Sequence, residues 1–500
     1  MHLLSTQDMG QADRLTIESG VAGVTLMRNA AEAVARLIRS IAKPDQSIQV
    51  LCGPGNDGGD GYALGAILAA EWRDVTIYAL GKPRPDSDAA WAKTQWGRTV
   101  HAIAEFAPHE AVLIVDALFG AGLSRDIEGD AADAIEKANQ SGACIVAVDV
   151  PSGIGGDDGQ VHGTAITAEH TVTFFRGKPG HWLYPGRAHC GELYVEDIGI
   201  DEKVLQIIEP RYRLNGPALW LPDLPMPQDD THKYDRGGAA VLSGNALSTG
   251  ASRLSARAAA RVGAGAITLI APERAAYIHA VHVTAIMVNQ AASPKAVIER
   301  VAKGRERALV AGPGYGVGQE LREIVLGCLV SNAEEGPNRT IVLDADALTS
   351  FHDEPDILFD AIGRSRHRVI MTPHSGEFAR LFPDLASDSR PKTEKASRTA
   401  GRAGAIVLLK GPDTIIAEPN GRIAINTNGT PLLATAGSGD VLAGMIAGLC
   451  AQSMPGFEAA CAAVWLHSEA ARRFGTGLTA DDLPDQLPAV LQQLQGQKRQ

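Results

Sequence analysis

Residues 47–62 read SIQVLCGPGNDGGDGY. SIQVLC (47–52) reads as an apolar strand, and Gly61–Trp72 carries a helical pattern after it. Between them Gly53, Gly55 and Gly58 spell G-x-G-x-x-G. After a strand, that pattern holds a dinucleotide by its pyrophosphate at a helix N-terminus. The same stretch carries Asp57 and Asp60, whose charge would repel a pyrophosphate unless a cation intervened. A hydride-transfer domain also needs an acidic residue ending the second strand, to hold the ribose. Here DVTIYALGKPRP (74–85) ends in Lys82 and Arg84. A plain nicotinamide dehydrogenase is therefore disfavoured.

Working outward, residues 11–40 hold a helical pattern. DVTIYAL (74–80), AVLIVDALFG (111–120) and ACIVAVDVPSG (143–153) are further strands, the last two ending in Asp116 and Asp149. Continuous apolar runs separated by helices predict a parallel sheet covered on both faces, with ligands beyond the carboxyl ends of its strands. Three polar, Gly-rich loops fall there. Between about 200 and 232 the alternation breaks at Pro210, Pro217, Pro222, Pro225 and Pro227, which reads as a domain connector. It then restarts at GAAVLSG (238–244), an Ala-rich helix, AITLIAP (266–272), ALVAGPGYG (308–316), RTIVLDADAL (339–348), RVIMTPHSGE (368–377) and AIVLLKGPDT (405–414). A helix over 440–452 follows TAGSG. The chain is read as two α/β domains of different fold, residues 1–212 and 213–500.

Composition narrows the function. The 500 residues carry a net charge of −12, which argues against a nucleic-acid binder. No apolar run approaches the roughly 18 residues of a membrane span, and the N-terminus has no secretory pattern. Six scattered cysteines without a C-x-x-C pair read as reduced thiols of a cytoplasmic protein.

In the first half, Asn56, Asp57, Asp116 and Ser152 can offer oxygen ligands to one hard cation. Asp149 can act as a general base or hold a sugar hydroxyl. A lone strand-end Asp more often caps a helix or turn, but three such loops together favour a site. GPGNDGGDGY (53–62), VDALFGAGLSRD (115–126), VDVPSG (148–153) and TFFRGKPG (173–180), with LMRNAAEAVA (26–35) upstream, resemble the signature segments of NAD(P)H-hydrate epimerases. That family interconverts the R and S epimers of NAD(P)H hydrated at C6 of the nicotinamide ring. The resemblance implies that Asn56, Asp57, Gly58, Gly59 and Asp60, with Gly120, Ala121, Gly122, Leu123, Ser124, Arg125 and Asp126, contact the hydrated dinucleotide. It implies that Asp149 binds substrate and exchanges protons, and that Asp57, Asp116 and Ser152 hold K+. Lys178 reads equally as a site residue or a solvated lysine. The family usually has a second asparagine where Asp57 stands.

In the second half, Gly437, Ser438 and Gly439 open a helix, where backbone N–H groups attract an anion. Asp440 follows in the first turn, able to take a proton or merely cap the helix. No P-loop and no zinc spacing occurs. THKYDRGG (231–238), AGPGYG (311–316), LDADAL (343–348), TPHSGE (372–377), LKGPDT (409–414), AGSGDVLAG (436–444) and LTADDLPDQLP (478–488) together resemble ADP- or ATP-dependent NAD(P)H-hydrate dehydratases, which have a ribokinase-like fold. The resemblance implies that Ala251, Gly314, His374 and Asp440 contact the hydrated dinucleotide. Lys410, Gly411, Pro412, Asp413, Thr414 and Gly439 would contact ADP or ATP, accompanied by Mg2+. Ala436 stands where a second glycine is more usual.

The expected protein is thus a Rossmann-like doubly wound epimerase domain fused to a ribokinase-like dehydratase domain. It would be a cytoplasmic homo-oligomer repairing hydrated NADH and NADPH, with neither nucleic-acid nor membrane partners. The rival readings are a small-molecule kinase with an accessory N-terminal domain, and a dehydratase whose first domain binds without catalysing.

Overall fold

The computed structural model describes residues 1–227, 229–330 and 336–498. Gln228, inside the proline-rich connector, lies outside the described residues. The chain divides into two compact units, His2–Arg213 and Leu214–Gln500 with Met1.

The first unit opens with β1 (His2–Leu3), two helices, Thr6–Glu18 and Gly23–Ile41, and then β2 (Ile48–Cys52). The remaining strands are β3 (Val75–Ala79), β4 (Val100–Ala102), β5 (Leu113–Ala117), β6 (Cys144–Val148), β7 (His170–Phe174) and β8 (Glu192–Glu196). They form a sheet of order β4-β3-β2-β5-β6-β7-β8, parallel throughout. Successive residues serve opposite faces. Val50, Val115 and Val146 pack in one core with Val34 and Ile38, while Leu51, Ile114 and Ile145 pack in another with Ile135. Burial on both faces is why these strands are continuous apolar runs. Each such side chain contributes roughly 1.5–3 kcal/mol. The chain winds outward from β2 and returns to β5, so the switch point lies between their carboxyl ends, where ligands bind in such sheets.

β1 pairs antiparallel with β9 (Tyr212–Asn215). The second unit's sheet is built from β10 (Gly238–Leu242), β11 (Ala266–Ala271), β12 (Met287–Gln290), β13 (Ala308–Ala311), β14 (Thr340–Leu343), β15 (Arg368–Met371), β16 (Ile406–Leu409), β17 (Ile415–Ala417) and β18 (Ile423–Asn426). Its order is β18-β17-β16-β15-β14-β13-β10-β11-β12. Neighbours from β12 to β16 are parallel; β16–β17 and β17–β18 are antiparallel. The switch point here lies between β10 and β13. Each G-P-G loop therefore sits at a switch point, Gly53–Gly55 after β2 and Gly312–Gly314 after β13. Helix Ser438–Ala451 lies close against helix Thr249–Arg261. A methyl at Gly444 would fall 2.1 Å from the Ser255 carbonyl oxygen.

Three readings change. The 11–40 helical stretch is two helices, parted where Gly20 takes φ 106°. The connector is partly folded: Pro217 opens a short helix whose Trp220 is fully buried and donates to Asn215 Oδ1 at 3.2 Å. The hairpin β17–β18, turned by EPNG, went unread beside the parallel alternation. Gly421 (φ 94°) makes its turn.

Candidate functional site

The G-x-G-x-x-G stretch is mostly helix. Gly55 is the N-cap of helix Asn56–Ala70, so Asn56–Asp60 form its first turns rather than a loop. The glycines serve close approach. A methyl at Gly53 would lie 1.7 Å from the Leu118 carbonyl oxygen, and one at Gly58 would lie 1.9 Å from that of Gly53. One at Gly59 would strike Met27 and Ala89. The helix start is thereby pressed onto the β5-end loop. A methyl at Gly120 would fall 2.2 Å from Asp57 Oδ1, so Asp57 rests on that glycine.

Behind it, Asp116 is buried. Its Oδ2 accepts from Ser152 N–H at 2.7 Å and its Oδ1 from Ser152 Oγ–H at 2.6 Å. The Phe119 N–H donates to the same serine oxygen at 2.9 Å. Burial pushes the Asp116 carboxyl up to about 6 and Asp57 up to about 7, Asp57 being raised further by Asp149.

Asp149 follows β6 in the left-handed region (φ 64°), a conformation costly to most side chains and better tolerated by Asp. Three neighbours hold it there. Thr173 Oγ1–H donates to its Oδ1 at 2.9 Å, and the Lys178 ammonium donates to the same oxygen. His181 Nε2 lies 2.8 Å from its backbone carbonyl oxygen. His181 Nδ1 accepts from Lys178 N–H at 3.0 Å, so the proton sits on Nε2 and the ring is neutral. Burial, with Lys178 beside it, pushes that imidazole down to about 4. Burial alone would raise the Asp149 carboxyl; Lys178 more than offsets this and holds it below the usual range. Lys178 is 2% exposed, so the solvated-lysine reading is wrong.

Asn56, Asp57, Asp60, Ala121, Gly122, Asp149 and Lys178 line one cavity of about 340 Å3. Leu123, Ser124, Arg125 and Asp126 are not in its lining, and Asp116 and Ser152 lie behind it. Helix Thr6–Glu18 supplies a wall that went unread, including Asp13.

In the second unit the strand-end loops also converge. Gly437 (φ 88°) caps helix Ser438–Ala451, and Ser255 Oγ–H donates to the Asp440 carbonyl oxygen at 2.7 Å. Asp344, after β14, is 2% exposed; its Oδ1 accepts from Lys410 Nζ at 2.7 Å and from Thr372 Oγ1–H at 2.7 Å. Gly439 packs against both, a methyl there standing 3.5 Å from Lys410 Nζ and 3.7 Å from Asp344 Oδ2. Burial, then Asp344, pushes the Asp440 carboxyl up to about 6. Burial works against the Lys410 ammonium, yet Asp344 and Glu377 keep it above its ordinary value.

Gly314 and Ala251 touch across the switch point. A methyl on Gly314 would stand 3.0 Å from Ala251 Cβ. His374 caps helix Ser375–Leu381, its Nδ1 accepting from Gly376 N–H at 2.9 Å and its Nε2 lying 3.4 Å from Glu377 Oε1, with its side chain exposed. In the Lys410–Thr414 turn, Thr414 Oγ1–H donates to the Gly411 carbonyl oxygen at 2.8 Å and Asp413 pairs with Lys392. Gly411 and Pro412 are exposed.

Two family models match the chain: one described as YjeF-related protein N-terminus over residues 23–180, one as NAD(P)H-hydrate dehydratase over residues 239–493. The bifunctional NAD(P)H-hydrate repair enzyme of Thermofilum pendens is 34% identical, covering 99% of this chain and 97% of its own. The chain belongs to the bifunctional NAD(P)H-hydrate repair enzyme family. Its relative in Escherichia coli is 33% identical over 94% of this chain and 90% of its own. The solved ADP/ATP-dependent NAD(P)H-hydrate dehydratase of Bacillus subtilis, co-crystallised with ATP and Mg2+, is similar to the ribokinase-like half. It shows 26% identity and TM-score 0.50, covering 56% of this chain and 98% of that one. Within this repair family, the two constellations are the expected places for two activities. Among the described residues, no helix is long and apolar enough to cross a membrane.

Proposed function

We propose that residues 1–212 interconvert the R and S epimers of hydrated NADH and NADPH, and that residues 213–500 dehydrate the S epimer at the expense of ADP or ATP. One observation carries the reading. In each unit a carboxylate and a lysine, Lys178 buried and Lys410 half-buried, meet where the strand-end loops converge beside glycines.

In the first unit Asp149, held ionised by Lys178, serves as the base. The oxygens of Asp57, Asp116 and Ser152 suit K+. The carboxyls of Asp57 and Asp116, both raised by burial, carry charge that a cation relieves, and the donors are all hard oxygens. Bound there, K+ would neutralise the carboxylates facing the dinucleotide.

In the second unit the C6 hydroxyl is a poor leaving group. Phosphorylation makes it a good one, and loss of phosphate restores the dihydronicotinamide. Asp440 takes the hydroxyl proton, and the Gly437–Gly439 amides stabilise charge on the transferred group. Lys410 and the exposed Gly411–Pro412 turn face the nucleotide. Mg2+ would come with its phosphates, and Asp344 and Asp346 are hard oxygen donors close enough to raise Asp440. Six cysteines in no disulfide suit a reducing compartment, which supports the cytoplasmic reading.

The test uses separated R and S hydrates of NADH with ADP or ATP, followed at the dihydronicotinamide absorbance. Recovery of NADH from S needs the nucleotide, and fast recovery from R needs the first unit as well. No recovery from S would overturn the reading and favour a small-molecule kinase. Recovery from S alone would leave the first unit as a binding module.

A further inference from the structure

Thr6, Gly10, Asp13 and Ile17 recur at helical spacing and, with Met9, turn one stripe of helix Thr6–Glu18 to the cavity that holds Asp149 and Lys178. Asp13 is the stripe's charged member. A methyl at Gly10 would meet nothing within 4 Å, so the space beside Asp13 is open. Among the described residues Asp13 has no ion-pair partner within 4.0 Å, unlike Asp149 with Lys178. The cavity thus has a carboxylate tied to lysine on the strand side and an untied carboxyl on the helix side. Asp57 rests on Gly120, and Asp60 is buried in helix Asn56–Ala70.

We propose that Asp13 is the second acid–base residue of the epimerase site, working from the helix wall of the cavity that Asp149 also lines. The proposal rests on the epimerase reading above. C6 of the hydrated ring carries its hydroxyl next to N1, so inversion can proceed by C6–O cleavage. The N1 lone pair forms N1=C6; the oxygen leaves with the C–O pair, takes a proton from one carboxyl and departs as water. A water on the other face loses a proton to the second carboxylate and closes a new C6–O bond, and the N1=C6 π pair returns to N1. One water is released and one consumed. The step needs one protonated and one ionised carboxyl on opposite faces, exchanging roles in the reverse direction. Lys178 keeps Asp149 ionised, while burial pushes Asp13 up to about 6. The charged groups acting on Asp13 are Lys178 and Arg14, which lower it, and Asp149, which raises it; Asp60 feels it in turn.

The experiment converts pure R hydrate of NADH with the full-length chain, without nucleotide, reading the R/S ratio by chromatography in water and in 18O-labelled water. Asp13→Asn is expected to lower kcat about 100-fold or more with KM within a few fold, while S-hydrate dehydration persists. Asp13→Glu should recover part of the rate with a shifted pH profile. Each inversion should carry one solvent oxygen into the product. Full epimerisation by Asp13→Asn overturns the assignment, as does inversion without label. A wild-type chain that does not convert R hydrate overturns the epimerase reading itself.

Discussion

Both sites place a lysine and aspartates at strand ends, but the lysines choose differently. Lys178 bonds to Asp149, the carboxylate proposed to do the chemistry, and holds it ionised. Lys410 bonds to Asp344 and leaves Asp440, the proposed base, without an ion pair among the described residues and raised to about 6. An ion pair in a buried site sets which group carries its charge at neutral pH, so moving the lysine by one partner changes the protonation logic. The first site then needs its acid from an untied carboxyl. The second has a base poised near neutrality, suited to a hydroxyl that becomes acidic only as phosphate is transferred.

The sharpest test of that comparison is Asp440→Asn. S-hydrate dehydration should fall about 10²–10⁴-fold, read by NADH absorbance, while R/S interconversion is kept. If both activities fell, the sites would not be independent. Next, Lys178→Met and Lys410→Met each strand a buried carboxylate, so each should cost about 3–5 kcal/mol in denaturant unfolding. Lys178→Met should also abolish epimerisation, because burial then raises Asp149 against only the Thr173 hydroxyl and His181. A fully active Lys178→Met chain would break the comparison.

The pH profiles should slope oppositely. Asp440 must be ionised to accept a proton, so dehydration should fall about tenfold per unit as pH drops below about 6. The acid of the first site must be protonated, so epimerisation should fall as pH rises above about 6. Parallel slopes would remove the distinction. The smallest change is Thr173→Val. It deletes the hydroxyl shared by Asp149 and Lys178 and should cost about 1 kcal/mol, near fivefold in epimerisation rate.

Particular residues show how much could be read early. The strand end at Cys52 was legible, and the ends expected at Asp116, Asp149 and Lys410 fall within one residue of those observed at Ala117, Val148 and Leu409, because two-sided burial demands unbroken apolar runs. That Asp149 follows a strand and Asp440 opens a helix was legible from the apolar runs and glycines beside them. Asn56–Asp60 has the sequence of a loop because glycine usually marks turns; here Gly58 and Gly59 are needed where helix meets backbone and side chain. The β17–β18 hairpin carried a turn signal in EPNG, masked by the parallel alternation around it. Asp13 offered no signal beyond its helical spacing from Thr6, Gly10 and Ile17, since nothing local tells which face of that helix meets a cavity.

Local sequence determined two α/β halves, each with carboxylates and glycines beyond its strand ends, because apolar period and glycine placement act within a few residues. It also carried segments enough for the repair family to be read from them. Tertiary structure alone decided which carboxylate each lysine would meet. Lys178 reaches Asp149 across 29 positions and Lys410 reaches Asp344 across 66. Such pairings, and the burial that makes them strong, exist only once the strands are laid side by side.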